Sequence, residues 1–166
     1  MSWFQRQPTT SQRLLTSVSS PLGAVIDVGA GASTLVDTLL DAGWSDVTAL
    51  DVSAKALALV HDRISDREND RVGDQHHGLP REWPGSASFV VANVLSWQPE
   101  RTYDTWHGRG VFHFLVRPEQ RDQYVATASR AVRPGGVVAL GTFAADGPTQ
   151  CSGLPTARYD LSLIHI

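Results

Sequence analysis

Two carboxylates bracket a glycine turn in this chain. Asp27 precedes Gly29 and Gly31 in Ile26-Asp27-Val28-Gly29-Ala30-Gly31-Ala32-Ser33, and Asp51 follows the apolar pair Ala49-Leu50. Glycines at a strand-to-helix turn let the backbone pass close to a ligand. A carboxylate at the end of the next strand can accept hydrogen bonds from both hydroxyls of a ribose. The spacing describes a nucleoside site with Asp51 as its ribose anchor. Dinucleotide-binding units usually carry a third glycine where the helix packs beneath the pyrophosphate, whereas Ser33 and Thr34 stand there in this chain. An adenosyl-type cofactor is therefore the first reading, a nicotinamide dinucleotide the second, and a turn that binds nothing the third.

A second group of reactive side chains, His107, Arg109 and His113 with Phe114, follows Tyr103-Asp104-Thr105-Trp106. The segment from Gly108 to Arg117 is expected to leave the carboxyl end of a strand, where doubly wound folds place their ligands. Arg109 can fix a carboxylate, and either histidine can take a proton near neutral pH. A plainer reading of the same segment makes Val111, Phe112, Phe114 and Leu115 core, with His113 a packing residue. Gly108 and Gly110 are read as loosening it. His76 and His77 are adjacent but lack a third ligand, so no metal is assigned. Cys151 is the only cysteine, which excludes an internal disulfide and suits a reducing compartment. It is read as an ordinary loop residue.

The elements that must position these groups alternate strand and helix. Residues 9 to 19 read as a helix with Leu14, Leu15 and Val18 on one face, broken by Pro21 and Gly23. Ala24, Val25 and Ile26 lead the first strand into the glycine turn. Leu35, Val36, Leu39 and Leu40 then recur at helical spacing up to Gly43. Asp46 to Leu50 is the second strand. Ser53 caps a helix with Leu57, Val60 and Ile64 on one face, and the charged run Asp66 to Asp74 reads as a solvated connection. Strands are expected over 89–92, 103–107 and 137–142, and a helix opens at Pro118 and is stopped by Pro134-Gly135-Gly136. The segment from Phe143 to Tyr159 is expected to be a loop closing over the substrate.

At 166 residues the chain suits one domain, able to bury about 70% of its unfolded surface. The net charge is −3 with both signs interspersed, so neither a phosphate-tracking surface nor an anionic-membrane anchor is indicated. No segment has the apolar length of a membrane span, and no export signal precedes the first helix. A soluble cytoplasmic protein is the expectation, with oligomeric state left open.

Several segments together resemble the class I S-adenosylmethionine-dependent methyltransferases, and more narrowly a small bacterial branch similar to protein-lysine methyltransferases. They are Ser2-Trp3-Phe4-Gln5, Asp27 to Ser33, Leu50-Asp51-Val52-Ser53, Tyr103-Asp104 with Trp106-His107, Val111-Phe112-His113-Phe114-Leu115, Arg133-Pro134-Gly135-Gly136 and Cys151-Ser152-Gly153-Leu154-Pro155. The glycine turn, the acidic strand end and Pro-Gly-Gly mark such enzymes at large; the Phe-His-Phe-Leu and Cys-Ser-Gly-Leu-Pro segments are narrower. The resemblance implies an α/β, doubly wound, Rossmann-like sheet that binds S-adenosyl-L-methionine. Asp27 would face the methionine end, Gly29, Gly31 and Ser33 would lie under the cofactor, Asp51 would hold the ribose, Val52 would border the adenine, and Asn93 with Val94 would reach its edge. The family usually has an acidic residue at Asn93, but an amide oxygen also accepts a hydrogen bond. The implied reaction is in-line transfer of the methyl group to a small-molecule or protein acceptor, with His107, Arg109 and His113 as the catalytic candidates. A noncatalytic cofactor-binding fragment and an NAD-dependent oxidoreductase are the alternatives.

The family sheet has seven strands in the order 3-2-1-4-5-7-6, of which this chain is expected to supply five, 3-2-1-4-5, without the last antiparallel pair. The fifth strand would then be an apolar edge open to pairing with another chain. Leu161-Ser162-Leu163-Ile164-His165-Ile166 match the translation of a transposon adapter, CTG TCT CTT ATA CAC ATC. They are expected to be a non-native tail behind a domain of residues 1–160; a short buried strand is the alternative. In the family further residues precede Ser2, which makes Met1 a candidate for a misassigned start.

Overall fold

Parallel strands buried on both faces read as unbroken apolar runs, and Val25-Ile26-Asp27-Val28 departs from that pattern at one position only. All four side chains are buried. The computed structural model describes residues 7–73 and 86–160; His76, His77, the Ser-Trp-Phe-Gln segment and the 161–166 tail lie outside them. In chain order the elements are α1 (Thr9–Val18), β1 (Val25–Val28), α2 (Leu35–Asp41), β2 (Asp46–Asp51), α3 (Ala54–Gly73), β3 (Ser86–Val91), β4 (Tyr103–Arg109), a 3-10 turn at Phe112–Phe114, α4 (Pro118–Ala131) and β5 (Val132–Gly141). The strands form one parallel sheet ordered β3-β2-β1-β4-β5, the doubly wound order that the family resemblance implies.

Strand side chains alternate between the two faces. Val25, Val47 and Ala49 join Leu15, Leu35, Val36, Leu39, Leu57, Val60 and Ile64 in one core under α1, α2 and α3. Ile26, Val28, Leu50 and Trp106 meet Tyr124, Ala128 and Ala131 of α4 in the other. On β4 the Trp106 indole Nε1 donates to the Tyr124 hydroxyl at 2.9 Å, and that hydroxyl explains Gly108. A Cβ there would stand 2.3 Å from the Tyr124 oxygen and 3.1 Å from Leu140. Gly108 is thus a packing requirement, not the loosening read from sequence, and Gly110 sits at φ +87°, where glycine is favoured. Gly108→Ala should lower stability by about 1–3 kcal/mol, as overpacking a tight interior does; a urea midpoint equal to wild type would contradict that contact.

Several boundaries differ from expectation for identifiable reasons. The buried face of α1 carries Ser11 and Leu15, while Leu14 and Val18 are 42% and 39% exposed. Helix α3 continues through the charged run to Gly73, since a run of charges suits a solvated helix as well as a loop. Val132 already pairs with Tyr103, and pairing resumes at Thr105 with Val137. Arg133-Pro134-Gly135-Gly136 therefore bulges out of β5, with the Arg133 Nε donating to Asp104 Oδ1. The other Asp104 oxygen accepts from the Ala24 N–H at 2.7 Å. That backbone bond, more than Arg133, holds the Asp104 carboxyl below its ordinary pKa.

Beyond β5 the chain is not a plain loop. Four two-residue strands, β6 (Phe143–Ala144), β7 (Gln150–Cys151), β8 (Leu154–Pro155) and β9 (Arg158–Tyr159), pair as β6 with β9 and β7 with β8. They fold back on the 3-10 turn, where Ala157 N–H donates to the His113 carbonyl at 2.7 Å and the Tyr159 ring meets Phe112 at 5.2 Å. Among the described residues β5 pairs with β4 alone, and an apolar groove lined by Tyr124, Val125, Ala128, Val132, Val138 and Leu140 runs between α4 and β5.

No helix of the described residues is long and apolar enough to cross a membrane.

Candidate functional site

Strand order reverses direction between β1 and β4, and in open α/β sheets ligands bind beyond the carboxyl ends of the strands at such a point. The glycine turn lies there. Gly29 and Ala30 N–H both donate to the Leu50 carbonyl, at 2.8 and 3.1 Å, which continues the β1–β2 ladder into the turn. Gly29 has φ +73° and Gly31 φ +55°, both in the left-handed region that favours glycine. A Cβ on Gly29 would stand 2.0 Å from Val111 Cγ2, so Val111 lies directly against the turn. A Cβ on Gly31 would project into open space, 4.0 Å from Asp51 Oδ2.

Asp51 closes the other side. Its Oδ2 accepts from Gly31 N–H at 2.8 Å and its Oδ1 from Ser53 N–H at 2.8 Å. A carboxylate has about four acceptor positions, so each oxygen keeps capacity for a ligand hydroxyl. Ser33 has a mainly local role: its Oγ accepts from Leu35 N–H at 3.0 Å, and its carbonyl accepts from the Arg63 guanidinium at 2.7 Å. Arg63 also grips the buried Asp37 through two bonds of 2.8 and 2.7 Å. A bidentate pair fixes orientation as well as distance, so α3 holds α2 and the end of the glycine turn in place.

Two cavities meet at Gly29. One, about 210 Å³, is lined by Val28, Leu50, Asp51, Val52, Asn93 and Val94 together with Val111 and Leu115. It is an apolar slot whose polar side chains are Asp51 and Asn93. Asn93 Oδ1 accepts from Leu95 N–H at 3.0 Å, which fixes the amide at the rim. Val52 is 73% exposed and Val94 is buried, one at the mouth and one in the floor. The second cavity, about 260 Å³, is lined by Asp27, Gly29, Gly31, Ser33, His107, Arg109 and their neighbours. Every cofactor-binding candidate named from sequence thus lines one cavity or the other.

Of the three catalytic candidates, His107 and Arg109 line the second cavity and His113 does not. His107 pairs in register with Asp27 across β1 and β4; its Nδ1 stands 2.7 Å from Asp27 Oδ1 and its Nε2 3.1 Å from Ser11 Oγ. Both ring nitrogens are engaged inside the protein. Arg109 ends β4 with its stem across Gly141, whose Cβ would come within 3.1 Å of Arg109 Cγ. His113 lines neither cavity. It is wholly buried, with ring centroids 4.1 Å from Phe114 and 4.7 Å from Phe143.

Burial lowers the His113 pKa below its ordinary value. The folded chain then resists a proton that the unfolded chain accepts, so this contribution to stability is present above pH about 6.5 and is lost as pH falls below it. Thermal melts between pH of about 8 and 5 should show that loss in wild type and a shallower one in His113→Phe. Equal slopes would place the proton uptake elsewhere.

Among the described residues no group of three His, Cys, Asp or Glu side chains is arranged to hold a metal.

The family model of a methyltransferase domain matches residues 26–138. The chain belongs to that family. Among curated proteins none matches. Solved structures share the methyltransferase domain's fold. The glycopeptide N-methyltransferase MtfA is 21% identical, with TM-score 0.66 over 83% of this chain and 54% of that one. A SAM-dependent methyltransferase from Methanosarcina mazei is 20% identical, with TM-score 0.62 over 80% and 58%. A structure concerned with conversion of a disulfide bond into a thioacetal group during echinomycin biosynthesis is 25% identical, with TM-score 0.62 over 84% and 52%. The chain spans little more than half the length of these structures.

The signal that sequence reading missed is Ser11. It sits four residues before Leu15, on the buried face of α1, and a serine there is visible only once its partner on β4 is known.

Proposed function

We propose that this methyltransferase domain binds S-adenosyl-L-methionine across the two cavities and transfers its methyl group to a small-molecule or peptide nucleophile. The observation that carries the reading is the pairing of unlike cavities at one glycine turn. The apolar slot with Asp51 and Asn93 suits adenosine, with Asp51 on the ribose hydroxyls and Asn93 and Val94 at the adenine edge. The second cavity is lined by one acidic residue, Asp27, and one arginine, Arg109. Opposite charges in one cavity match the ammonium and carboxylate of an α-amino acid. MtfA has been solved with S-adenosyl-L-methionine, which supports the same choice.

The cofactor supplies a methyl group on a sulfonium for in-line displacement. This chain's residues supply position: Gly29 and Gly31 permit close approach, Asp51 fixes the sugar, and Asp27 and Arg109 fix the amino-acid end. Holding two reactants in attack geometry is itself a large part of such catalysis. Of the catalytic candidates, Arg109, read from sequence as a substrate contact, is reassigned to the carboxylate of the cofactor. His113 is assigned to anchoring the Phe143 segment, since its ring packs there.

A nicotinamide dinucleotide fits less well, because its pyrophosphate would lie at the glycine turn beside Asp27, and like charges repel at short range. Calorimetric titration decides between them. S-adenosylhomocysteine should bind while NADH should not; binding of NADH alone would overturn the reading.

A further inference from the structure

Helix α1 faces β4 with hydroxyls where apolar contact would be ordinary. Ser11 Oγ meets His107 Nε2 at 3.1 Å, and Thr105 Oγ1 donates to Ser19 Oγ at 2.7 Å. Ser11, His107 and Asp27 are each 3% exposed, and buried polar groups cost stability unless each is met. Here each is met by the next. A carboxylate only accepts, so Nδ1 donates to Asp27, and Nε2 shares a hydrogen bond with the Ser11 hydroxyl. The chain of bonds runs from α1 through β4 to β1 and ends on a carboxylate that lines the 260 Å³ cavity. A serine, histidine and aspartate in series also describe an activated nucleophile, but Ser11 lines neither cavity of the cleft and faces no space for an acyl group.

We propose that Ser11 is a positioning residue. Through His107 it sets the orientation of the Asp27 carboxylate, so that α1 contributes to holding the amino-acid end of the cofactor without touching it. His107 is then the bridge in that arrangement in place of the proton acceptor expected from sequence. This rests on reading the cleft as an S-adenosylmethionine site, and it adds to that reading a helix that precedes every motif of the cleft.

The test is calorimetric titration of two ligands, S-adenosylhomocysteine and 5′-methylthioadenosine, into the full chain. The second keeps the nucleoside and thioether and lacks the amino acid. Ser11→Ala should weaken S-adenosylhomocysteine about tenfold and leave methylthioadenosine within about twofold of wild type. Asp27→Asn should weaken S-adenosylhomocysteine at least as much, and adding Ser11→Ala to it should change nothing further, because both act through one carboxylate. Equal weakening of both ligands by Ser11→Ala, no weakening of either, or additive losses in the double variant would overturn the proposal. A wild-type chain that binds neither ligand would instead overturn the cofactor reading beneath it.

Discussion

Asp51→Ala should reduce S-adenosylhomocysteine affinity at least about a hundredfold, or about 2.7 kcal/mol. The estimate follows from two ribose hydroxyls losing a charged acceptor, each such bond contributing about 1.5–3 kcal/mol. The loss has a second source inside the protein, since Asp51 also accepts from Gly31 and Ser53 N–H. The glycine turn would lose its tie to the end of β2. Asp51→Asn separates the two effects only in part, because its amide oxygen can serve one of those N–H groups while its NH2 opposes the other. The control is His113→Phe. His113 lines neither cavity, so that variant should bind S-adenosylhomocysteine within about threefold of wild type. Isothermal titration of all three decides it: equal losses in Asp51→Ala and His113→Phe would remove Asp51 from its role as ribose anchor.

Gly29→Ala is the change expected to harm the fold most. Its Cβ would stand 2.0 Å from Val111 Cγ2, and φ there is +73°. The backbone term is about 1–2 kcal/mol for a non-glycine residue in this region, and overpacking adds about 1–3 kcal/mol. Against a net stability of about 5–15 kcal/mol, their sum is a large fraction. The two terms can be separated because only one involves Val111. Val111→Ala in the Gly29→Ala background should recover the steric part and leave the backbone part, read from urea midpoints of the single and double variants. Full recovery would mean that the turn tolerates alanine's backbone, and the argument from φ would fail. No recovery would mean that Val111 is not the obstacle.

The parts of the fold visible in the sequence were those whose cause is local. Asp27, Gly29, Gly31 and Asp51 could be placed because a strand, a tight turn and a second strand end lie within one short unit, whereas the strand order came from the family resemblance and not from any local pattern. Ser11 could not be placed. Hydrophobic spacing in α1 favoured Leu14, Leu15 and Val18, yet the helix turns Ser11 inward because its hydrogen-bond partner waits 96 residues away. Gly108 has the same cause: Tyr124, which forbids a Cβ there, is on α4, an element away from the strand that carries the glycine. The segment after β5 was read as a loop because its strands are two residues long, too short for any alternation to show. His113 was left between two readings in the sequence, a proton acceptor or a packing residue. Its place between Phe114 and Phe143 depends on Phe143, which returns to it from beyond β5.

Both cavities of the cleft depend on chain that follows β3. Asp51, Val52, Asn93 and Val94 precede β4, but the partner of Asp27 lies 80 residues after it, on β4. Contacts of such separation form late, because loop closure must precede them. Val111 and Leu115 of the adenosine slot also follow β4, so neither cavity is complete until β4 and the turn after it have joined the sheet. The assembled domain alone presents both ends of the cleft, and a ligand that bridges them stabilises only that completed sheet.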